Sequence, residues 1–297
     1  MRNKKTKSLL KNARHLQYPV IPLLVASHGF KGLFFAGVLF MVLLTVSSCM
    51  FIPPEDTSTM KFDNLSLVWS DEFDGPSDAP DSTKWTYDLG AGGWGNNEVQ
   101  TYTNNRTNSY VSNGTLKIRA LKENGNWTSA RLKTQGKYSW KHGYIEARIK
   151  LPAGNGVWPA FWMLGNNITS VGWPRCGEID VMEYSPGTTG VNKVFGTVHY
   201  ATTTGDHRYT SLGEKIDSTV TTAFHTYGLR WTSTEITLYI DGQQVGTPFR
   251  KMADTPWPFD QEFFIILNVA MGGNLGGTID PNLSQAIMEV DYVRVYQ

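Results

Sequence analysis

The sequence predicts an all-β fold, a β-sandwich of two sheets, on three observations. From Leu65 onward no helical periodicity outlasts a turn or two, segments of alternating apolar and polar residues recur, and Gly, Asn, Pro and Asp punctuate them at short intervals. Many short strands separated by turns are the pattern of a sandwich rather than of helices packed on a sheet. No internal repeat divides the 297 residues, so one domain is expected over residues 62–297.

The chain ahead of that domain reads as an export device. Arg2, Lys4, Lys5, Lys7, Lys11, Arg14 and Lys31 lie in residues 1–32 without an acid among them, and Gly32 to Val46 is apolar apart from Gly37 and Thr45. A basic leader followed by a short apolar stretch and the small residues Ser47 and Ser48 marks residues 1–48 as a signal peptide. The stretch is too short for a comfortable membrane-spanning helix. Cys49 follows directly, and Val46-Ser47-Ser48-Cys49 resembles a bacterial lipoprotein box in which the cysteine is lipidated. Residues 49–61, with Pro53-Pro54-Glu55-Asp56, then form a flexible tether. These features place the protein in the bacterial cell envelope, at the outer membrane or cell surface, held by lipid at Cys49. The only other cysteine is Cys176, so no disulfide framework is available and Cys176 is expected as a small buried residue. A net charge of +1 makes no case for a nucleic-acid partner.

Within the domain, Tyr110-Val111, the Asn113-Gly114 turn and Leu116 to Arg119 predict a hairpin. Residues 144–150 alternate as a strand, and further strands are expected at 194–200, 226–231, 236–240, 263–269 and 288–296, with a tight turn at Ile240-Asp241-Gly242-Gln243. Trp158 and Trp162 are four apart and share a strand face. Pro159 between them argues against a central strand. An indole plate buries the C–H face of a sugar ring while its N–H hydrogen-bonds, so these tryptophans suit a sugar cleft as well as a core. Gly93 to Gln100 is a glycine- and amide-rich loop suited to orienting sugar hydroxyls, with Asn97 as the contact; its bland alternative is a surface turn.

The chemistry concentrates in Trp173 to Tyr184, where Glu178, Asp180 and Glu183 alternate with Ile179, Val181, Met182 and Tyr184. On a strand Glu178 and Asp180 share a face, and one extra residue at Val181-Met182, a β-bulge, returns Glu183 to it. Three like charges in one row raise at least one pKa, leaving a protonated carboxyl beside an ionised one. Retaining glycoside hydrolysis uses such a pair, one acting as nucleophile and the other as acid/base. No His/Cys cluster of zinc type and no phosphate-cradling loop is present, and this chemistry needs no cofactor.

Glu-Ile-Asp-Val-Met-Glu (178–183) resembles the signature of glycoside hydrolase family 16 in its longer, bulged form. Gly-Val-Trp-Pro-Ala-Phe-Trp-Met-Leu (156–164) and Trp-Pro-Arg-Cys-Gly (173–177) are similar to its laminarinase, or endo-β-1,3-glucanase, branch. The resemblance runs from about Leu67 to the C-terminus. It implies a jelly-roll sandwich whose concave sheet holds the substrate cleft, with Glu178 as nucleophile, Glu183 as acid/base and Asp180 between them. It further implies sugar contacts from Asn97, Trp158, Trp162 and Trp173, with His199 as a modulator of Glu183. Asn268 and the Gly272-Gly273-Asn274 turn are weaker candidates. A structural calcium is implied at Glu72, Gly114 and Asp291, with carboxylate and carbonyl oxygens as ligands. The implied activity is monomeric, endo-acting, retaining hydrolysis of laminarin-type β-1,3-glucan, with mixed-linkage glucan as a second substrate. The bulged motif also occurs in family members acting on agar and carrageenan. A non-catalytic surface glycan-binding protein and a transglycosylase are the other readings.

Overall fold

The computed structural model describes residues 64–76 and 78–297; the leader, the apolar stretch, Cys49 and the tether lie outside the described residues. Seventeen strands, one 3-10 turn (Gly93–Gly95) and only two four-residue α-helices, α1 (Ile168–Val171) and α2 (Gly273–Gly276), make up the regular structure there. In chain order the strands are β1 (Leu67–Asp71), β2 (Thr86–Asp88), β3 (Thr101–Tyr102), β4 (Ser109–Ser112), β5 (Thr115–Glu123) and β6 (Asn126–Ser129). They continue with β7 (Arg131–Lys133), β8 (Gly143–Lys150), β9 (Val157–Gly165), β10 (Glu178–Tyr184), β11 (Lys193–Ala201) and β12 (His207–Ile216). The last five are β13 (His225–Trp231), β14 (Glu235–Ile240), β15 (Gln243–Arg250), β16 (Phe263–Met271) and β17 (Gln285–Tyr296).

Two sheets result, as expected of a jelly-roll sandwich. One runs β15-β14-β13-β8-β17-β5-β6-β3, with β1 added beside β17 and β4 beside β5; the other runs β12-β11-β10-β9-β16-β7-β2. Every pairing is antiparallel except the two-residue pairing of β3 with β6. The expected hairpin forms with Asn113 and Gly114 both at positive φ (50° and 70°), and Asp241-Gly242 repeats the device at 51° and 70°. Positive φ at both central residues is the two-residue turn whose twist matches the flanking strands.

The core lies between the sheets. Phe161 and Met163 of β9, Ile179 of β10, Val198 of β11 and Ile265 of β16 bury themselves in one cluster with Ile145 and Ile149 of β8, Leu229 of β13 and Val293 of β17. Each such side chain contributes about 1.5–3 kcal/mol of burial. Alternation along a strand then commits the neighbouring positions of β9, β10, β11 and β16 to the opposite face, where the cleft is.

One expectation is corrected. β9 is a central strand, paired with β10 and β16, despite Pro159. Its pairing with β10 runs only from Leu164 to Ala160, so the proline lies one residue beyond that ladder. Trp140 is a core residue packed against Trp69 and Tyr138. β12 carries no apolar alternation because it is an edge strand, with only Leu212 fully buried.

Candidate active site

β10 holds the acids through the bulge its sequence requires. Against β11, Glu178 faces His199, Asp180 faces Thr197 and Glu183 faces Phe195; the register shifts between Asp180 and Glu183. Against β9, Asp180 faces Trp162 and Met182 faces Phe161, which leaves Val181 as the extra residue. Ile179, Val181, Met182 and Tyr184 all enter the core, and the three carboxyls line the other face. Gly196 on β11 permits the close strand approach here, since a Cβ at that position would lie 2.7 Å from the Asp180 carbonyl oxygen.

Each outer acid accepts an indole hydrogen bond. Trp158 Nε1 donates to Glu183 Oε1 at 3.0 Å, and Trp173 Nε1 donates to Glu178 Oε2 at 3.0 Å. His199 Nε2 stands 3.1 Å from Asp180 Oδ2 and 3.9 Å from Glu178 Oε1. The first contact is poorly aligned and leaves Asp180 Oδ2 without a hydrogen bond among the described residues. Within the triad His199 stands nearest Asp180, because β11 pairs it opposite Glu178, and from there it also opposes the rise of the Glu183 pKa.

Burial raises the pKa of all three acids to about 8. For Glu178 the Asp180 charge adds to burial while His199 and the Trp173 N–H oppose it. For Glu183 the Asp180 charge again adds to burial and the Trp158 N–H opposes it. Three charges therefore do not coexist in the row at neutral pH. Glu178 is the least enclosed, its side chain 17% exposed against 5% for Asp180, so it takes a negative charge most readily. The same surroundings push the Cys176 thiol up to about 11, first by burial and then by the Glu178 charge; it is a buried, inert residue.

The rest of the cleft floor lies across β9, β16 and β7. Trp162 Nε1 donates to Asn268 Oδ1 (2.8 Å), Asn268 Nδ2 donates to the Tyr102 hydroxyl (3.0 Å), and that hydroxyl donates to Glu98 Oε2 (3.1 Å). Gln100 Nε2 donates to the same Glu98 oxygen (2.6 Å). The oxygen and the nitrogen of the buried Asn268 amide are thus both engaged, and it holds the Trp162 plate in place. Arg131 lies between two plates, its guanidinium carbon 4.6 Å from the Trp162 ring centre and 5.0 Å from that of Trp94. Asn97 Nδ2 donates to Asn274 Oδ1 (2.7 Å), joining the two amide-bearing loops at the rim. Sequence reasoning does not single out Glu98, Tyr102 or Arg131. Glu98, Gln100 and Tyr102 fall on alternate positions of Glu98-Val99-Gln100-Thr101-Tyr102, a strand-like spacing, whereas Arg131 is brought in only by β7 pairing beside Asn268.

Glu72 follows β1, Gly114 precedes β5 and Asp291 lies in β17, all in the sheet that does not carry the acids. The Glu72 carboxylate is forked by Arg294 (3.0 and 2.9 Å), and Arg148 donates to Asp291 Oδ2 (2.7 Å). β1 pairs with β17 up to Asp71 and Val293, β5 pairs with it up to Leu116 and Val290, and Asp291 is the bulged residue against β8. With the carboxylates held by arginines, the donors left for a hard cation are chiefly main-chain carbonyls at these ladder ends. A second carboxylate–histidine group, Asp217, His225 and Asp241, is filled by the Lys215 ammonium, 2.9 Å from Asp241 and 3.4 Å from Asp217.

The model of the family described as glycosyl hydrolases family 16 matches residues 96–294. A β-glucanase of Rhodothermus marinus is 44% identical over 254 residues, covering 80% of this chain and 87% of its own. The X-ray structure of the laminarinase from Rhodothermus marinus aligns with a TM-score of 0.71 at 42% identity, over 78% of this chain and 97% of that one. A LamA variant from Z. galactanivorans, solved in complex with laminaritriose and laminaritetraose, aligns with a TM-score of 0.70 at 36% identity, over 78% and 99%.

Proposed function

Because the chain belongs to glycosyl hydrolases family 16, we propose that it is an endo-acting, retaining β-1,3-glucanase of laminarin-type glucans, with mixed-linkage β-1,3-1,4-glucan as a second substrate. The observation that carries the chemistry is the row Glu178, Asp180, Glu183, whose outer members each accept an indole N–H. In the first step the Glu178 carboxylate attacks the anomeric carbon, the glycosidic C–O bond breaks, and Glu183 gives its proton to the leaving oxygen. In the second, ionised Glu183 takes a proton from water as the water oxygen attacks the same carbon, and Glu178 leaves as carboxylate. Two inversions return the original configuration. Asp180, protonated by its burial, keeps the charges of the two glutamates apart. Trp158, Trp162 and Trp173 supply plates for the sugars, and Asn97 with Asn274 a polar rim.

The deciding experiment measures reducing-sugar release from laminarin, barley mixed-linkage glucan and agarose, with Glu178→Gln as control. Laminarin cleavage that disappears in the variant supports the reading, and NMR of the first product separates retention from inversion. Cleavage of agarose alone would keep the mechanism and change the substrate to a galactan. Binding of laminarin without cleavage of any polymer would make the protein a glycan-binding module.

The proposal extends to a monomer exported and anchored through lipid at Cys49, supported by the basic leader and the lipobox-like Val46-Ser47-Ser48-Cys49; Cys49→Ser should release it from the membrane fraction. It extends also to a structural calcium on the carbonyls of Glu72, Gly114 and Asp291. Chelation with EGTA should then lower Tm by a few degrees while leaving activity unchanged well below the transition.

A further inference from the structure

The row of side chains that begins at the nucleophile continues past β11. Glu178 faces His199, and His199 in turn faces Tyr209 on β12. Residues directly opposite one another on antiparallel strands share a face, so Tyr209 stands on the face that carries the acids. Two strand spacings separate it from Glu178, about 10 Å. β12 is the outermost strand of this sheet, and Tyr209 is 69% exposed.

A lone exposed tyrosine would need no explanation. This one ends a strip of rings. Its centroid lies 6.0 Å from His199 and 6.2 Å from His207, and His207 lies 4.6 Å from Trp173, itself 49% exposed and bonded to Glu178. His207 Nε2 is 2.9 Å from His199 Nδ1, which fixes both rings in the strip. Burial and the neighbouring His199 hold the His207 pKa below its ordinary value. Three of these rings occupy positions that a sandwich would ordinarily fill with polar, solvated side chains. An uncharged chain of sugar rings, each with an apolar C–H face and polar edges, matches such a strip, and an amphipathic phenol is suited to it.

We infer that His207 and Tyr209 form an outer glucan subsite beyond Trp173, which holds a sugar residue remote from the scissile bond and sets a preference for long chains. The inference rests on the β-1,3-glucan reading of the active site. Remote binding of this kind contributes when the chain is long enough to reach β12 and is lost when it is not.

The test compares wild type, Tyr209→Ala and Tyr209→Phe on laminarin and on β-1,3-gluco-oligosaccharides of increasing length. Tyr209→Ala should lower kcat/KM on laminarin about tenfold, the size of one aromatic contact, and the loss should shrink as the substrate shortens. Tyr209→Phe keeps the plate and should recover most of the activity. Because Tyr209 is exposed, both variants should retain the wild-type Tm within experimental scatter, which separates lost binding from lost folding. An equal loss at every chain length, or no loss on laminarin, would overturn the subsite alone. A wild type unable to cleave any β-1,3-glucan would overturn it together with the reading it rests on.

Discussion

Two indole N–H groups hold the two outer glutamates of the row. Trp173 donates to Glu178, which opens to the cleft, and Trp158 donates to Glu183, which is buried beside Ala160 of β9. A donated hydrogen bond favours the ionised form, so each indole lowers the pKa that burial has raised. Trp158→Phe should therefore leave Glu183 protonated to higher pH and move the basic limb of the kcat profile upward; an unmoved limb would dissociate Trp158 from the acid. Glu183→Gln should lower kcat on laminarin by about 10²–10⁴, the range for loss of a general acid, and abolish that limb. His199 addresses Asp180 at 3.1 Å, so His199→Gln should alter the profile through Asp180 and leave the Trp158 bond to Glu183 intact.

At the scale of elements the bulge of β10 and the glycine of β11 are one device. Val181 is the unpaired residue, and Gly196 lies against the Asp180 carbonyl just before it. Gly196→Ala would set a methyl group 2.7 Å from that oxygen and 3.1 Å from Leu238, a contact relieved only by moving β10. Such overpacking costs about 1–3 kcal/mol. The expected result is a lower Tm together with a lower kcat, since the displaced strand carries the triad; a fall in Tm with unchanged kcat would show that the acids do not depend on this approach. The chain Glu98–Tyr102–Asn268–Trp162 is a second device, tying a cleft plate to a buried carboxylate on a loop distant in sequence.

At the scale of the molecule the triad is a cost to the fold. Asp180 and Glu183 in the native row keep protons up to about pH 8 that the unfolded chain releases near pH 4. Between those values the native state binds more protons than the unfolded state, so this contribution to stability falls as pH rises. Asp180→Asn removes one such group. Its Tm should exceed that of wild type at pH 8, with a smaller gap at pH 5; a gap independent of pH would mean that Asp180 is already ionised in the native protein.

The sequence by itself determined the β class, the turns at Asn113-Gly114 and Asp241-Gly242, the acidic row and the need for a bulge within it. These are local properties: alternation, positive φ and spacing along one strand act between neighbours in the chain. It did not reveal that Pro159 sits in a central strand, that Asn268 accepts the Trp162 N–H, that His199 stands nearest Asp180, or that Tyr209 extends the row. Tertiary structure decided those points. Each depends on which strand pairs with which, at what register, and pairing joins residues far apart in sequence whose identities carry no record of their partners.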